Sequence, residues 1–276
     1  MAFPTETVYG LGANALDAAA VERIFSAKKR PHTSPLIVHV DSVEMARRYA
    51  SEWPDAAEAL ARRYWPGPLS LVVRKAPEIP DIVTAGLPTV GLRMPDHPLA
   101  IELIRAAGVP IAAPSANRFT ELSPTEADHV PEKLADFVLD GGPARVGIES
   151  TVLSLVDRPV LLRPGVIPLP EIEAIIGPVA MAGAMEGAHP SPGMHPRHYR
   201  PATPLYLLTN GEAPPEGRGQ VLKTGDDARS FAASLYHRLH ELDAQGLDWI
   251  AVEMPPDTPE WAGVLDRLRR AAWKKI

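Results

Sequence analysis

The stretch LSLVVRKAPEIPDIVTAGLPTVGLRM, residues 69–94, holds two runs rich in leucine and valine, at 69–74 and 89–94. Short apolar runs with β-branched residues are typical of buried strands. Further runs of this kind lie at 36–40, 109–113, 137–140, 150–156 and 160–163, with helical stretches between them. The alternation, joined by both short turns and helices, predicts an α/β domain over residues 1–177 with a twisted mixed sheet and flanking helices.

Amphipathic helices are predicted between these strands. The first follows Asp17, a suitable N-cap, and places Val21, Ile24 and Phe25 on one face. Two more are predicted over residues 51–64 and 97–107, each closed by proline or glycine.

A change of composition marks the end of the first domain. Residues 178–203 are rich in glycine, alanine, proline and methionine, which indicates a linker. This linker also carries His195, Arg197, His198, Tyr199 and Arg200, an unusual set for a passive spacer, so we expect it to serve as a lid. Beyond it, strands at 204–208, 220–224 and 249–254 and helices at 227–244 and 260–274 predict a smaller Rossmann-like α/β domain over residues 204–276.

Composition excludes several classes of protein. The 276 residues are 45% hydrophobic and 22% charged, which is ordinary for a globular chain with a real core. A net charge of -6 argues against a general electrostatic grip on nucleic acid. The absence of cysteine excludes disulfides, thiolate nucleophiles and cysteine-type zinc sites. Neither a membrane span nor a secretory signal is visible, so we expect a cytoplasmic protein.

Three cations, Lys28, Lys29 and Arg30, stand where the first helix ends, just before Pro31. Cations in the last turn favourably cap the negative end of a helix, and that reading stays open. The loop that follows is stiffened by proline and carries the hydroxyl of Ser34, which favours a clamp for polyphosphate. The acidic chain therefore concentrates positive charge at one joint.

The segment FPTETVYGLGANA, residues 3–15, matches a dinucleotide-binding fingerprint only loosely. We expect Gly10 and Gly12 to permit a tight turn, with Thr5 and Thr7 presenting hydroxyls to a site. No phosphate-binding loop of the Walker type is present, so any ATP is bound in another way.

Polar residues cluster where predicted strands end. The segment PIAAPSANRFTELSPT, residues 110–125, places Ser115, Asn117 and Ser123 after an apolar strand, although serine and asparagine also favour turns. Thr89 and Arg93 share one face of a strand, and a half-buried arginine requires an anion from protein or ligand.

Histidines offer weaker signals. His39 ends an apolar run, where a satisfied core histidine and a catalytic one are both open. His237 and His240 are three residues apart on a predicted helix, but with no third ligand nearby in the sequence we expect a solvated face rather than a metal site. The inventory of hydroxyls, arginines and lysines suits holding phosphates and carboxylates in place.

Taken together, these motifs resemble the YrdC-domain family, the threonylcarbamoyl-AMP synthases, in its two-domain form. The resemblance rests on seven segments in family order: FPTETVYGLGANA, AKKRPHTSPLIVH, TVGLRMPDHP, APSANRFTELSPT, IESTVL, LLRPG and the linker SPGMHPRHYRPATP. The resemblance implies condensation of L-threonine, bicarbonate and ATP, with Mg²⁺ bound through ATP and not by protein side chains. It also implies that the product, threonylcarbamoyl-AMP, passes to tRNA-threonylcarbamoyl transferase machinery downstream.

The resemblance also assigns residues. It places the catalytic pairs at Lys28 with Arg30 and at Ser115 with Asn117. By motif position, the ATP-binding residues are Arg30, Ser34, Thr89, Ser115, Ser123, Arg163 and Tyr199, and the threonine-binding residues are Thr7, His39, Arg93, Ala113 and Ser150. Since all the reactants are anionic, Lys28, Arg30 and Arg163 would lower their mutual repulsion.

The chain departs from the family pattern in three places. It starts almost at the Thr-x-Thr motif, so we expect part of the core surface to lack its usual covering helix, unless the start is misassigned. His195 and Pro196 replace the usual lysine and tyrosine of the linker, and the second domain is shorter than usual.

Two alternatives differ in class. One is a double-stranded RNA-binding module without catalysis, with direct tRNA contact through a local basic patch, which a steep salt dependence would favour. The other is a carbamoyltransferase of the hydrogenase-maturation type, against which the lack of cysteine argues.

Overall fold

A computed structural model describes residues 1–182, 198–209 and 212–275. The predicted lid residues His195 and Arg197 lie outside these ranges. The first domain is built on an eight-stranded mixed sheet of order β10-β9-β8-β5-β6-β4-β7-β3, beside a two-stranded sheet of β1 and β2. The strands are β1 Ala2–Phe3, β2 Gly10–Leu11, β3 Ala13–Asn14, β4 Ile37–His39, β5 Leu69–Arg74, β6 Thr89–Arg93, β7 Ile111–Ala113, β8 Thr151–Ser154, β9 Val160–Arg163 and β10 Ala180–Met181.

The two runs in residues 69–94 form the centre of this sheet, as predicted. β5 pairs antiparallel with β6, and on its other side it pairs parallel with β8. β4 pairs parallel with β6, with His39 opposite Arg93. The register therefore brings the ends of β4 and β6 and the start of β8 to one edge of the sheet.

The first helix, α1 (Ala18–Lys28), shows why the cationic joint forms. Its N-cap is Asp17, whose Oδ1 accepts hydrogen bonds from two backbone N–H groups. Its buried face continues past the predicted apolar residues to Lys28, and the helix ends at Lys29 in the left-handed conformation. Lys28 and Arg30 are consequently buried, whereas Lys29 is exposed.

The other helices of this domain flank the sheet. They are α2 Val43–Arg48, α3 Asp55–Tyr64, α4 Asp81–Thr84, α5 Pro98–Ala107 and α6 Leu169–Ile176. The helix predicted from residue 51 begins at Asp55 because Pro54 is its N-cap, and the residue before a proline avoids the helical conformation.

Two expectations for the first domain are wrong. Residues 137–140 do not form a strand: Val138 makes a single bridge to Ala2, and Phe137 is 57% exposed. Gly10 lies in β2 and Gly12 joins β2 to β3, and neither has the positive φ for which a turn favours glycine. A Cβ on Gly12 would lie 2.8 Å from side-chain atoms of Phe3 and Ile111, so close packing excludes a side chain there.

The second domain has a four-stranded parallel sheet of order β12-β13-β11-β14. Its elements are β11 Leu205–Leu208, β12 Gly219–Leu222, α7 Ala228–Asp243, β13 Trp249–Glu253, α8 Ala262–Ala271 and β14 Lys274–Lys275. Apolar faces of α7 and α8 are buried in a second hydrophobic core. Val8 and Ile148 of the first domain also belong to this core. Within the described residues, every helix is too short or too polar to span a bilayer.

The solvated face predicted for His237 and His240 is wrong. Both side chains of α7 face the first domain, where the ring of His240 stacks on that of His129 with centroids 4.0 Å apart. His237 lies 2.9 Å from a carboxylate oxygen of Glu126. Contacts between domains cannot be read from the spacing of residues within one helix.

Candidate active site

Three arginines from distant parts of the chain line one cavity. They are Arg30 after α1, Arg93 at the end of β6 and Arg163 at the end of β9. Other predicted site residues share its wall: Thr7, His39, Ala113, Ser115, Ser150 and Tyr199. The cavity thus gathers residues from Thr5 to Tyr199, up to 194 positions apart in the sequence.

Arg30 is a buried cation held by uncharged groups. Its Nη2 donates to Ser34 Oγ at 2.5 Å and to the backbone oxygen of Pro35 at 3.2 Å. Among the described residues no carboxylate lies within ion-pair distance of Arg30. Burial lowers its pKa to about 10, with Arg163 acting in the same direction against the opposing effect of Tyr199, so Arg30 stays charged at neutral pH. Ser34 itself does not line the cavity; it orients Arg30.

Arg93 has a protein anion beside it that the sequence did not reveal. Its Nη2 lies 2.7 Å from Glu6 Oε2, and both side chains are buried. The orientation is not that of a hydrogen bond, and neither Glu6 oxygen has a hydrogen-bond partner among the described residues. Arg93 Nε donates to the backbone oxygen of Gly67 at 3.3 Å, which leaves Nη1 for a ligand. In the sequence, the one sign of this pair is that Glu6 is an acidic residue inside the Thr-x-Thr motif.

Arg163 is fixed against the strand that follows Glu149. Its Nη2 donates to the backbone oxygen of Ser150 at 3.0 Å and to Ser150 Oγ at 3.3 Å. Ser150 Oγ is also 2.8 Å from Ser70 Oγ at the start of β5. Burial lowers the pKa of Arg163, and Arg267 acts in the same direction against the opposing effects of Tyr199, Glu149 and Asp266.

Lys28 does not line the cavity, in contrast to the role expected for it at the triphosphate. Its Nζ donates to the backbone oxygen of Ser115 at 2.6 Å and to that of Asn117. Burial strongly lowers its pKa. Asn117, also buried, donates through its side chain to the backbone oxygens of Arg118 and Glu121. Lys28 and Asn117 therefore hold the loop that presents Ser115 to the cavity.

Two further expected ATP ligands lie away from the cavity wall. Ser123 is buried behind it, and its Oγ donates to Glu149 Oε1. Thr89 begins β6 and pairs with Arg74, four residues from Arg93 and therefore about 13 Å away along the strand. Even spacing correctly placed Thr89 and Arg93 on one strand, but it could not show that only Arg93 reaches the site.

His39 is neutral and oriented. Burial lowers its pKa to about 3, and the charge of Arg93 acts in the same direction. Its Nδ1 is 3.3 Å from the backbone oxygen of Ile111, so the neutral ring donates through Nδ1 and offers Nε2 as an acceptor. Thr7 Oγ1, 2.9 Å from Thr5 Oγ1, also lies at the cavity.

The second domain completes the site through Glu149. This cavity residue accepts a hydrogen bond from Arg267 Nε of α8 at 2.8 Å and from Tyr236 Oη of α7 at 3.2 Å. Burial alone would raise the pKa of Glu149, but Arg267 and Arg163 outweigh it and the pKa falls to about 2. The carboxylate therefore stays charged and fully engaged by protein donors.

Two linker residues cover the cavity. His198 and Tyr199 both line it and are almost fully buried, and burial lowers the pKa of His198 to about 3. Tyr199 has a φ of 62°, in the left-handed region, and its Oη has no hydrogen-bond partner among the described residues. The space left for solvent is about 50 Å³, room for only a few water molecules.

Comparison with known proteins agrees with both domains. Residues 1–165 match the family model Sua5_yciO_yrdC, described as "Telomere recombination". Residues 167–273 match the model for "Threonylcarbamoyl-AMP synthase, C-terminal domain". Threonylcarbamoyl-AMP synthase of Pyrococcus abyssi is 41% identical, with 100% of this chain and 91% of that protein aligned. The synthase of Bacillus subtilis is also 41% identical, with 100% and 90% aligned.

A solved structure supports the same relationship. The crystal structure of Pyrococcus abyssi Sua5 complexed with L-threonine is similar to this fold with a TM-score of 0.90, at 39% identity over 100% of this chain and 92% of that one. The matches extend over both domains and over the linker between them. The chain belongs to the two-domain threonylcarbamoyl-AMP synthase family.

Proposed function

We propose that this protein condenses L-threonine, bicarbonate and ATP into threonylcarbamoyl-AMP and pyrophosphate. The threonine amine takes up bicarbonate to form a carbamate with loss of water. A carbamate oxygen then attacks the α-phosphorus in line, and the bond to pyrophosphate breaks. No protein nucleophile is needed, so catalysis consists of positioning and of neutralising negative charge.

One observation carries this proposal: three buried arginines converge on a single cavity, and Glu149 is the one carboxylate among the described residues of its wall. Glu149 is occupied by Arg267, and Arg30 has no carboxylate partner among the described residues. Since an uncompensated buried charge is costly, the cavity favours an anionic ligand. Arg30 and Arg163 suit the phosphates of ATP, since both line the cavity and the charge of Arg163 is close enough to lower the pKa of Arg30.

The other end of the cavity suits threonine. Arg93, with Nη1 left for a ligand, would bind its carboxylate. The neutral Nε2 of His39 would accept a hydrogen bond from its hydroxyl or from its amine before carboxylation. Sites that hydrogen-bond a substrate hydroxyl reject analogues without one by about 10⁴-fold or more. The Pyrococcus relative was solved as a complex with L-threonine, which supports this assignment.

Magnesium would enter with ATP as part of the substrate. The cavity carboxylate Glu149 has both oxygens engaged by protein donors, so it offers no ready ligand to a metal. Phosphate oxygens of ATP would hold the ion, which would neutralise charge on the departing pyrophosphate.

His198 and Tyr199 would act as a lid. The left-handed backbone of Tyr199 costs about 1–3 kcal/mol, and its buried hydroxyl has no hydrogen-bond partner among the described residues. Both costs are relieved if the segment opens to admit ATP and closes with Tyr199 on the nucleotide. The lid function predicted for His195 and Arg197 concerns residues outside the described ranges.

The test is direct. Purified protein is incubated with threonine, bicarbonate and magnesium–ATP, and the mixed anhydride and pyrophosphate are measured by mass and by a coupled assay. Omission of any one substrate should abolish both products; formation of pyrophosphate without threonine would contradict the proposal. Cytoplasmic location, delivery to a tRNA-threonylcarbamoyl transferase and direct RNA contact stay predictions from the sequence.

A further inference from the structure

A cluster of metal-ligating side chains lies between the two domains, outside the cavity. Glu126 and His129 come from the first domain, beside the short 3-10 helix Ala127–His129. His237 comes from the middle of α7 in the second domain. One ligand atom from each residue lies within 4.8 Å of the other two.

The composition of the cluster suits a metal of the zinc type. Two imidazoles and one carboxylate are common ligands of Zn²⁺, with bonds of about 2.0–2.2 Å. Tetrahedral ligands at that distance are about 3.4 Å apart, so each distance between two ligand atoms needs to change by about 1.4 Å at most. Small side-chain rotations provide such a movement. All three residues are only partly buried, so an ion can reach them from solvent.

The present contacts fit a site that lacks its cation. His237 Nδ1 lies 2.9 Å from Glu126 Oε1, yet this buried nitrogen makes no hydrogen bond of good geometry with the described residues. A metal ion between the nitrogen and the carboxylate would satisfy both groups. His237 Nδ1 and Glu126 Oε1 are therefore close together, although the nitrogen has no well-oriented hydrogen bond among the described residues.

Neighbouring groups orient both imidazoles. His237 Nε2 lies 3.4 Å from Glu241 Oε1, so a proton on Nε2 leaves Nδ1 unprotonated for a metal. His129 Nδ1 accepts a hydrogen bond from the backbone N–H of Thr125 at 3.4 Å and lies 3.3 Å from Thr125 Oγ1, so Thr125 fixes the position of the ring. A contact like that of His237 Nε2 with Glu241, from the ring nitrogen that does not bind the metal to a carboxylate, accompanies most metal-bound histidines.

His240 supports the cluster without being a ligand. Its Nε2 lies 3.2 Å from the backbone oxygen of Ser123, and its ring stacks on His129.

We propose that Glu126, His129 and His237 bind one divalent ion of the zinc type, which fastens α7 of the second domain to the first domain. The fastened segment reaches the active site, since Ser123, three residues before Glu126, donates to the cavity carboxylate Glu149. The ion has a structural function and takes no part in the reaction.

Metal binding can be tested without any substrate. The full-length chain is freed of metal with a chelator and titrated with Co²⁺, whose visible absorption reports a tetrahedral site, and with Zn²⁺ by calorimetry. We expect binding of one ion per chain and a rise in unfolding temperature with metal concentration. Absence of saturable binding, or binding that leaves the unfolding temperature unchanged, would overturn the proposal.

Variants locate the site. Glu126→Gln and His237→Gln should each weaken binding by about tenfold or more, since even second-shell changes cost that much. His32→Gln is a matched control, because His32 forms an exposed pair with Glu22 at 2.8 Å that has only two ligands. Loss of His189 and His195, outside the described ranges, must also leave binding unchanged. Unfolding temperatures of the metal-free variants establish that each is folded, and wild-type affinity in both ligand variants would refute the site.

Discussion

Arg267 Nε and Glu149 Oε2 form a buried ion pair 2.8 Å long that joins the last helix of the chain to the wall of the cavity. The guanidinium is 1% exposed, and it also donates to the backbone oxygens of Glu149 and Pro164. The Cζ atom of Arg267 lies 5.4 Å from the centroid of the Tyr199 ring. The second domain therefore contacts both the cavity carboxylate and the lid residue through one side chain.

Replacing Arg267 by alanine should strongly destabilise the protein. The change leaves the buried carboxylate of Glu149 without its ion-pair partner, which costs about 3–5 kcal/mol of unfolding free energy. The matched control is Arg269→Ala on the same helix, because Arg269 has a long, exposed contact of 3.7 Å with Asp257. We expect that control to cost at most about 1 kcal/mol in urea denaturation. Equal effects of the two changes would refute the structural role of the pair.

The stability contribution of Glu149 should depend on pH. Its folded pKa of about 2 lies below the ordinary value of 4.5, so the contribution is complete above about pH 4.5 and is lost as pH falls toward 2. Urea denaturation of wild type and Glu149→Gln provides the measurement. Between pH 6 and pH 3, the difference in unfolding free energy should shrink by about 2 kcal/mol. A difference that stays constant would mean that the pKa is not depressed.

Two variants separate the structural function of Arg93 from its function in binding threonine. Arg93→Ala alone should cost about 3–5 kcal/mol, since Glu6 is left buried without its partner. Adding Glu6→Gln should restore most of that stability, because the residual charge is removed. Threonine binding, measured by calorimetry, should stay lost in the double variant. Normal threonine affinity there would show that Arg93 only balances Glu6.

Lys28 should affect catalysis through the Ser115 loop. Lys28→Met removes the donors to the backbone oxygens of Ser115 and Asn117, and a misplacement of about 1 Å typically costs on the order of 100-fold in rate. Its exposed neighbour provides the control: Lys29→Met should leave kcat/KM unchanged. We expect both variants to fold, as judged by unfolding temperature. A full rate for Lys28→Met would remove the positioning role.

Much of the fold follows from local pattern. The run at 69–74 is apolar almost throughout because its strand is covered on both faces, and its observed bounds equal the predicted ones. The capping by Asp17 also follows from residue type alone. The run at 137–140 looks the same in sequence but finds only one bridge partner, because strand pairing depends on distant residues that local pattern does not contain.

Part of the candidate site could be predicted from the sequence. The three arginines were found by motif and lie together, but the burial of Lys28 was overlooked although it is four residues after Ile24 on the same helix face. Glu6 and Arg267 were missed as site residues because their partners, Arg93 and Glu149, are 87 and 118 positions away. Pairing at such separation is set by the sheet register and the docking of two domains, which single-residue patterns do not encode.

The most direct test of the account is isotope exchange between pyrophosphate and ATP in wild type, Arg30→Ala and Lys29→Ala. Arg30 is a buried cation without a carboxylate partner among the described residues, and its removal exposes no buried anion. We predict that wild type and Lys29→Ala exchange only when threonine and bicarbonate are both present, and that Arg30→Ala is folded but inactive. Exchange by Arg30→Ala at the wild-type rate, or exchange by wild type without threonine, would contradict a cavity in which clustered cations bring the anionic reactants together.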